Sequence, residues 1–441
     1  MMKTKEEEEK TISPSKIGCY MPEDLITEML LRLPVKSPVR FKSVCKDWSS
    51  IISNPSFTKT QFHLSSRYYL SLSHLIIRDD NSMFILNLDL NDIPYKKTNQ
   101  HIKGKFVPLS SNFIKKTTLL DKGVRYIDVN ASCNGILYVC IGKTLYLWNP
   151  TIDEYRIIPP PPNFKFPILF SGFGYASTID DYKLVFVTRS KSAQQFCTLV
   201  YVYSTRLNKW RNIDTDFFSM CEIKINTECD YNRSAEAIIS NDALHWTLEI
   251  KRCECHYIDY FDTIDHNRDN KVNFIFKFDM VNEVFERVAD LKPIYSSIEE
   301  NQRKIATKIN ATSDGSLCVY LQYIGSFGWC IEPNPGIVEM WMITKSNTQK
   351  KGKLAGRWNN IGSKYKIIRI MGNGNVIVFE NRNYPNSMRN LVIFDGRQPN
   401  KRFYIEATNE YGKLYDDISC GHQRLQRVVF YSESLINPNH I

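Results

Sequence analysis

Between residues 21 and 57 the apolar positions recur every three to four residues, and from about residue 68 onward they alternate in short runs broken by Gly, Asn, Asp and Pro. The first period is that of helices and the second that of strands, so the chain reads as a small helical module followed by a long β region. In the helical part Pro22 suits a first helical turn, and Glu23 and Asp24 place negative charge where the helix dipole favours it. Leu25, Ile26, Met29, Leu30 and Leu33 then form a stripe that Pro34 ends. Ser37-Pro38 reads as an N-cap followed by proline at the first helical position, after which Phe41, Val44, Cys45, Trp48, Ile51 and Ile52 line one stripe as far as Asn54-Pro55. A helical piece below about 40 residues buries too little to fold unaided, so these stripes are expected to dock on a partner protein or on the rest of the chain.

In the β region one pattern recurs. Asn or Asp with a small residue opens a strand, the next strand ends in an aromatic and a polar residue, and after a turn a further aromatic begins another strand. The first full copy is CNGILYVCIGKTLYLWNPTIDEYRIIP, residues 133–159. Others are carried by NDALHWTL with FIFKFDMVNEVFERV, by SDGSLCVYL with VEMWMI, and by NGNVIVFE with LVIFDGRQPNKRFYI; VYVYSTRLNKWRNID is the tail of one more. Trp148 and Tyr155, Tyr203 and Trp210, and Phe278 and Phe285 are each seven residues apart, while the anchors Trp148, Tyr203, Phe278, Trp341 and Phe394 recur at 53 to 75 residues. Kelch blades repeat at about 50 residues, so the spacing predicts a mainly β chain with a kelch-like β-propeller of about six to eight blades. A pair of β-sandwiches is the competing arrangement.

Composition changes this picture little. At 43% hydrophobic and 12% aromatic residues the 441-residue chain is globular, apart from the Lys- and Glu-rich first nineteen residues, which read as a disordered tail. No run approaches the roughly eighteen apolar residues of a membrane span, and no signal sequence is legible, so a soluble intracellular protein is expected. The twelve cysteines are scattered, several in apolar runs such as those of Cys140 and Cys318, and are expected to be reduced. Cys253, Cys255 and His256 lack the spacing of a zinc site, and Asp259, Asp262, Asp265 and Asp269 lack the glycine and glutamate of a calcium loop; neither metal nor cofactor is expected. The net charge of +10 raises nucleic acid as a partner, but Lys and Arg are interleaved with 47 acidic residues rather than gathered on one element, and no nucleic-acid or membrane partner is expected.

Two resemblances sharpen the reading. Residues 21–57 resemble the plant F-box through Pro22, Asp24, Leu25, Glu28, Leu30, Arg32, Leu33, Pro34, Lys36, Ser37, Arg40, Phe41, Val44, Cys45, Lys46, Trp48, Ile52, Pro55 and Phe57, departing from it at Met21 and Pro38, where Leu is usual. The β region resembles the F-box-associated domain of plant F-box proteins in CNGILYV, LYLWNPTIDEYRIIPPPP, GFGYASTIDDYKLV, VYVYSTRLNKWRNI, ALHWTL and FDMVNEVFERV, in that order. Its layout is also similar to the S-locus F-box proteins of self-incompatible plants, which recognise pistil ribonucleases. The resemblance implies a tail over residues 1–19, a three-helix F-box over 20–64 and a substrate-binding propeller-like domain over 65–441. It implies a substrate-recognition subunit of a Skp-cullin-F-box ubiquitin ligase, in the cytoplasm or nucleus, that docks a Skp-type adaptor and through it a cullin. The docking residues it points to are Pro22, Leu25, Ile26, Leu30, Leu33, Pro34, Val39 and Trp48, some packed inside the module and some facing the adaptor. Substrate capture falls to loops of the β domain, with the segments Glu254 to Asn270 and Phe327 to Ile337 as candidates by length and polarity.

Signs of catalysis are weak. The chain has no Gly-x-Ser-x-Gly elbow, phosphate-binding glycine loop or HExxH helix. Gly172 and Gly174 in SGFGYAS are expected to form a tight turn, His245 to sit in the core or line a blade, and Trp148, Trp210, Trp246, Trp341 and Trp358 to pack between blades. The proline run Pro159 to Pro162 reads as a stiff connector. A propeller-fold enzyme, such as a glycan hydrolase or cyclase, and a scaffold acting outside a ligase are the alternatives.

Overall fold

The computed structural model describes residues 21–68, 72–79, 82–89, 101–108, 112–115, 127–163, 168–192, 195–220, 235–249, 273–291, 302–311, 315–325, 337–343, 352–359, 365–370, 376–380, 391–394, 402–408 and 427–441. Four helices open the chain: α1 (Glu23–Leu31), α2 (Lys36–Phe41), α3 (Lys46–Ser53) and α4 (Pro55–Tyr68). The strands β1 (Leu72–Asp79), β2 (Ser82–Asp89) and β3 (His101–Pro108) follow. Then come β4 (Ile127–Cys133), β5 (Ile136–Ile141), β6 (Thr144–Asn149) and β7 (Glu154–Ile158), and β8 (Ile168–Ala176), β9 (Asp181–Ser192), β10 (Gln195–Ser204) and β11 (Lys209–Ile213). A short helix α5 (Phe217–Met220) leads to β12 (Ala235–Glu236), β13 (Ile238–Ser240), β14 (Ala243–Glu249), β15 (Asn273–Asp279) and β16 (Val284–Asp290). The remainder are β17 (Gln302–Ala311), β18 (Leu317–Gly325), β19 (Ile337–Ile343), β20 (Gly352–Asn359), β21 (Tyr365–Ile370), β22 (Val376–Glu380), β23 (Leu391–Phe394), β24 (Arg402–Thr408) and β25 (Arg427–Tyr431).

The strands group into up-and-down units of four, which are the blades of a propeller. β4 to β7, β13 to β16 and β17 to β20 are separate four-stranded sheets, and β8 to β11 form a fourth to which β12 adds a parallel edge. The last sheet has the order β21-β22-β23-β24-β3-β2-β1-β25 and holds two units joined by the parallel pairing of β24 with β3. The described residues thus contain six blades. In the sixth, β25 pairs with β1, so strands from opposite ends of the propeller complete one blade.

The seven-residue aromatic spacing has a direct cause. Trp148 stands opposite Tyr155, Tyr203 opposite Trp210 and Phe278 opposite Phe285, each pair bridging the third and fourth strands of a blade. The ring centroids lie 5.2 Å apart for Tyr203 and Trp210 and 4.9 Å for Phe278 and Phe285. Cross-strand aromatic pairs stabilise a sheet by about 0.2–1 kcal/mol each and pin its register. The turn each pair spans ends in a left-handed residue, Asp153, Asn208 or Glu283, with φ of 55°, 49° and 57°. The first hairpin of two blades is likewise a two-residue left-handed turn, at Asn134-Gly135 and Asn241-Asp242.

Four core clusters of the propeller lie between neighbouring blades. Trp148 packs with Phe113, Val129, Val429 and Tyr431 between the sixth blade and the first, and Trp210 with Tyr138, Leu147 and Phe186 between the first and second. Trp246 lies with Val185 and Phe276 between the second and third, and Trp341 with Ile275 and Val319 between the third and fourth. The side chain of Trp358 falls outside the described residues. Pro159 to Pro162 does connect two blades, and the Pro159 carbonyl accepts a 2.6 Å hydrogen bond from Trp210 Nε1.

Three local expectations are corrected. Gly172 and Gly174 do not make a turn; both lie inside β8, because the next blade comes too close for a side chain. A Cβ at 172 would stand 2.8 Å from Leu244 and Trp246, and one at 174 would stand 3.0 Å from Leu244. The single stripe expected from Phe41 to Ile52 is two helices, because Cys45 is extended (φ −157°, ψ 168°) and its Sγ accepts from the Trp48 amide at 3.5 Å. The expected Ser37 cap is absent: α2 starts at Lys36 after a buried Val35 with no side-chain cap, leaving Pro38 buried inside the first turn, where a missing N–H costs nothing. Asn54-Pro55 both stops α3 and starts α4, with Asn54 Oδ1 accepting from the Ser56 amide at 2.8 Å. α4 runs through residues 64–65.

Candidate functional site

The apolar stripe of α1 divides between two surroundings. Leu30 is 1% exposed and packs with Val35, Ile52 and Phe57, and Ile26, Leu33, Val39 and Trp48 ring that centre half-buried. Trp48 meets Phe41 edge-on at 5.6 Å, a contact that the break at Cys45 permits. On the other side of the helix Leu25 is 56% exposed, Met29 45% and Met21 45%, and Val44, between α2 and α3, is 59% exposed. Pro22 and Pro34 are exposed as well. Glu23 and Asp24 complement the N-terminal dipole of α1, and Glu28 with Arg32 adds an exposed i,i+4 ion pair of 2.6 Å.

Of the eight docking residues expected from sequence, Pro22, Leu25 and Pro34 thus stand on the surface, Ile26, Leu33, Val39 and Trp48 straddle it, and Leu30 shapes the module from within. Met21, Met29 and Val44 were not among the eight, although Met29 belongs to the same helical stripe. Leu25 and Met29, four residues apart on α1, put exposed apolar surface on one helix face, as a protein interface requires.

The opposite side of the module is seated on the propeller. The residues that follow β25 run between the two: Leu435 completes the cluster around Leu30, and Ile436 packs among Tyr138, Leu147 and Tyr203 of the first and second blades. Asn149 Nδ2 donates to the carbonyls of Ser434 at 3.0 Å and Ile436 at 2.8 Å, and Arg156 donates to the carbonyl of Ile441 at 2.7 Å. Ile152, in the last turn of the first blade, packs against the module. Lys36 pairs with Glu433 at 2.8 Å and Lys59 of α4 with Asp180 at 2.5 Å. Hydrogen bonds from Lys59 and from the Tyr175 hydroxyl hold the Asp180 carboxyl below the usual carboxylate range. The module therefore covers the end of the blades that carries the first and third hairpins. The second hairpins open at the other end, where the strand ends Glu249 and Asn273, and Gly325 and Ile337, lie. The candidate loops Glu254 to Asn270 and Phe327 to Ile337 join these strand ends; apart from Ile337 they lie outside the described residues, as do Cys253, Cys255, His256 and the aspartates from Asp259 to Asp269.

His245, Cys133 and Cys140 inside the propeller are held neutral. Burial lowers His245 to about 4, and its Nδ1 has no hydrogen-bond partner among the described residues. Burial also raises the thiols of Cys133 to about 12 and Cys140 to about 11, far from nucleophilic reactivity. Among the described residues no three His, Cys, Asp or Glu side chains come together as a metal site, and no helix is long and apolar enough to cross a membrane.

A propeller that carries on one end a small helical module with an open apolar side defines the class: an F-box protein with a β-propeller partner domain. Residues 19–60 match the F-box domain and residues 75–438 match the F-box associated beta propeller domain, and the chain belongs to this family. Its relatives in Arabidopsis thaliana include the putative F-box protein At3g16210, 30% identical over 43% of this chain and 46% of that protein. The F-box/kelch-repeat protein At3g23880 is 28% identical over 56% of this chain and 63% of that one, and the F-box protein CPR1 is 22% identical over 75% and 70%. The chain thus spans about half to two thirds of the length of the first two. Solved structures such as an oligogalacturonate lyase superpose only loosely, at 8% identity and a TM-score of 0.34 over 76% of this chain and 70% of that one, and no argument rests on them.

Proposed function

We propose that this chain is the substrate-recognition subunit of a Skp-cullin-F-box ubiquitin ligase. The helical module docks a Skp-type adaptor, which in turn holds the cullin, and the propeller captures a protein substrate for ubiquitination. The observation that carries the reading is the division of α1: Leu30 closes the module's own core while Leu25 and Met29 remain exposed, as do Met21 just before the helix and Val44 between α2 and α3. Docking is assigned to Pro22, Leu25 and Pro34 on the surface and to the accessible edges of Ile26, Leu33, Val39 and Trp48, with Met21, Met29 and Val44 added; Leu30 acts by holding α1 in place. Ubiquitin transfer belongs to other subunits, so the chain itself is a non-catalytic adaptor that works in the cytoplasm or nucleus.

Substrate capture is assigned to the end of the propeller away from the module, which keeps the two partners from competing for one surface. The test is a pulldown with a plant Skp-type adaptor, comparing the unaltered chain with Leu25→Asp. Leu25 is already exposed, so the variant is expected to fold normally and to lose adaptor affinity by roughly tenfold or more, as buried interface anchors do. Undiminished binding by the folded variant would reject the assignment.

A further inference from the structure

Residues 433 to 436 alternate between two bodies. Glu433 pairs with Lys36 of α2, and Ser434 is hydrogen-bonded to Asn149 of the first blade. Leu435, 1% exposed, enters the module's core, and Ile436, 4% exposed, enters the core between the first and second blades. An extended segment turns successive side chains to opposite sides, so one short stretch holds both bodies at once. The seat is made to measure on the propeller side: Gly135 stands at φ 77°, and a Cβ there would lie 2.3 Å from Ser434 Oγ. The segment is placed by the strand before it. β25 pairs with β1 along Arg78↔Arg427 to His74↔Tyr431, and Val429 and Tyr431 are buried beside Trp148. Tyr431 also hydrogen-bonds Asn149 Oδ1 at 3.1 Å, the same side chain that holds Ser434 and Ile436.

We propose that residues 432–441 are a strap through which closure of the sixth blade completes the docking module. Leu30, Val35, Ile52 and Phe57 come from one short stretch of chain, whereas Leu435 reaches them only when β25 is seated. β25 follows every other strand of the ring in chain order, so a propeller that has not closed leaves the module short of a core residue. A helical unit of this size has little stability to spare, and removing one fully buried leucine lowers the folded fraction of the module rather than merely loosening it. An incompletely folded chain is thereby kept from presenting a finished adaptor site. What binds the module is taken from the proposed function; the strap itself rests on the packing.

Amide hydrogen exchange on the full chain, without adaptor, tests the coupling. In Leu435→Asp the amides of α1, α2 and α3 are expected to exchange at least roughly tenfold faster while those of β5 and β9 keep their protection, and adaptor affinity is expected to fall by a similar factor. Leu435→Met should restore both. Unchanged protection in α1 to α3 would overturn the strap, and so would an equal loss in β5 and β9, since the segment would then be propeller core and no coupling. Leu435→Ala serves under the same criteria if the aspartate variant cannot be purified. Should the unaltered chain fail to bind the adaptor, the docking reading falls, and the exchange comparison still decides the strap.

Discussion

The two sides of α1 are written in the same residues and live in different surroundings. Leu30 and Leu25 belong to one helical stripe, yet Leu30 is sealed by Val35, Ile52, Phe57 and Leu435 while Leu25 faces outward. Helical period marks which residues are apolar and in line; it does not say which partner covers them. For one side the cover comes from the same chain, about four hundred residues later, and for the other the described residues supply none.

The comparison breaks most visibly from inside. Leu30→Ala is expected to cost about 2–5 kcal/mol of module stability through lost burial and a cavity, read by chemical denaturation or by exchange of the α1 amides. Acid separates the module from the propeller. His245 is neutral in the folded state down to about pH 4, whereas the unfolded chain takes up that proton below its ordinary value of 6.5. Propeller stability should therefore decline as pH falls from 6.5 to 4, by at most about 3 kcal/mol at one group; His245→Phe should flatten that slope, and an unchanged slope would contradict the assignment. Lys59→Ala, which removes the partly exposed pair with Asp180, should lower stability by only about 0–1 kcal/mol, less still at high salt. Leu25→Ala closes the series: a change in melting temperature corresponding to under about 0.5 kcal/mol, beside the loss of adaptor affinity, would place that residue on the open side.

How much of this was legible depended on sequence distance. The seven-residue spacing of Trp148 and Tyr155 encoded a cross-strand pair, because a pair and its turn lie within one short window. The anchors Trp148, Tyr203, Phe278, Trp341 and Phe394 all fall on the third strand of a blade for the same reason. First strands were harder to read: β17, QRKIATKINA, carries few apolar residues, and its Ile309 is buried among residues distant in sequence, Ile275 and Leu291 of the neighbouring blade, as well as Val319 and Leu321 of its own. Gly172 and Gly174 looked like a turn because the residues that exclude a side chain there, Leu244 and Trp246, are some seventy positions away. The helix break at Cys45 had no proline or glycine to announce it. Within the docking surface the residue types could be read, but their division into inside and outside could not, since it depends on how the helices fold together and on Leu435 from the far end of the chain.

The glycines of β8 have a further consequence for the ring as a whole. In an open stack of sheets, a methyl group added at residue 172 would push one neighbour aside and leave the rest in place. The six described blades belong to a propeller, a ring of fixed circumference, so widening one seam by an ångström must be taken up by compressing or tilting the others, including the seam where β25 meets β4. A substitution between the second and third blades thereby becomes a hoop strain felt two seams away, at the joint on which the helices sit.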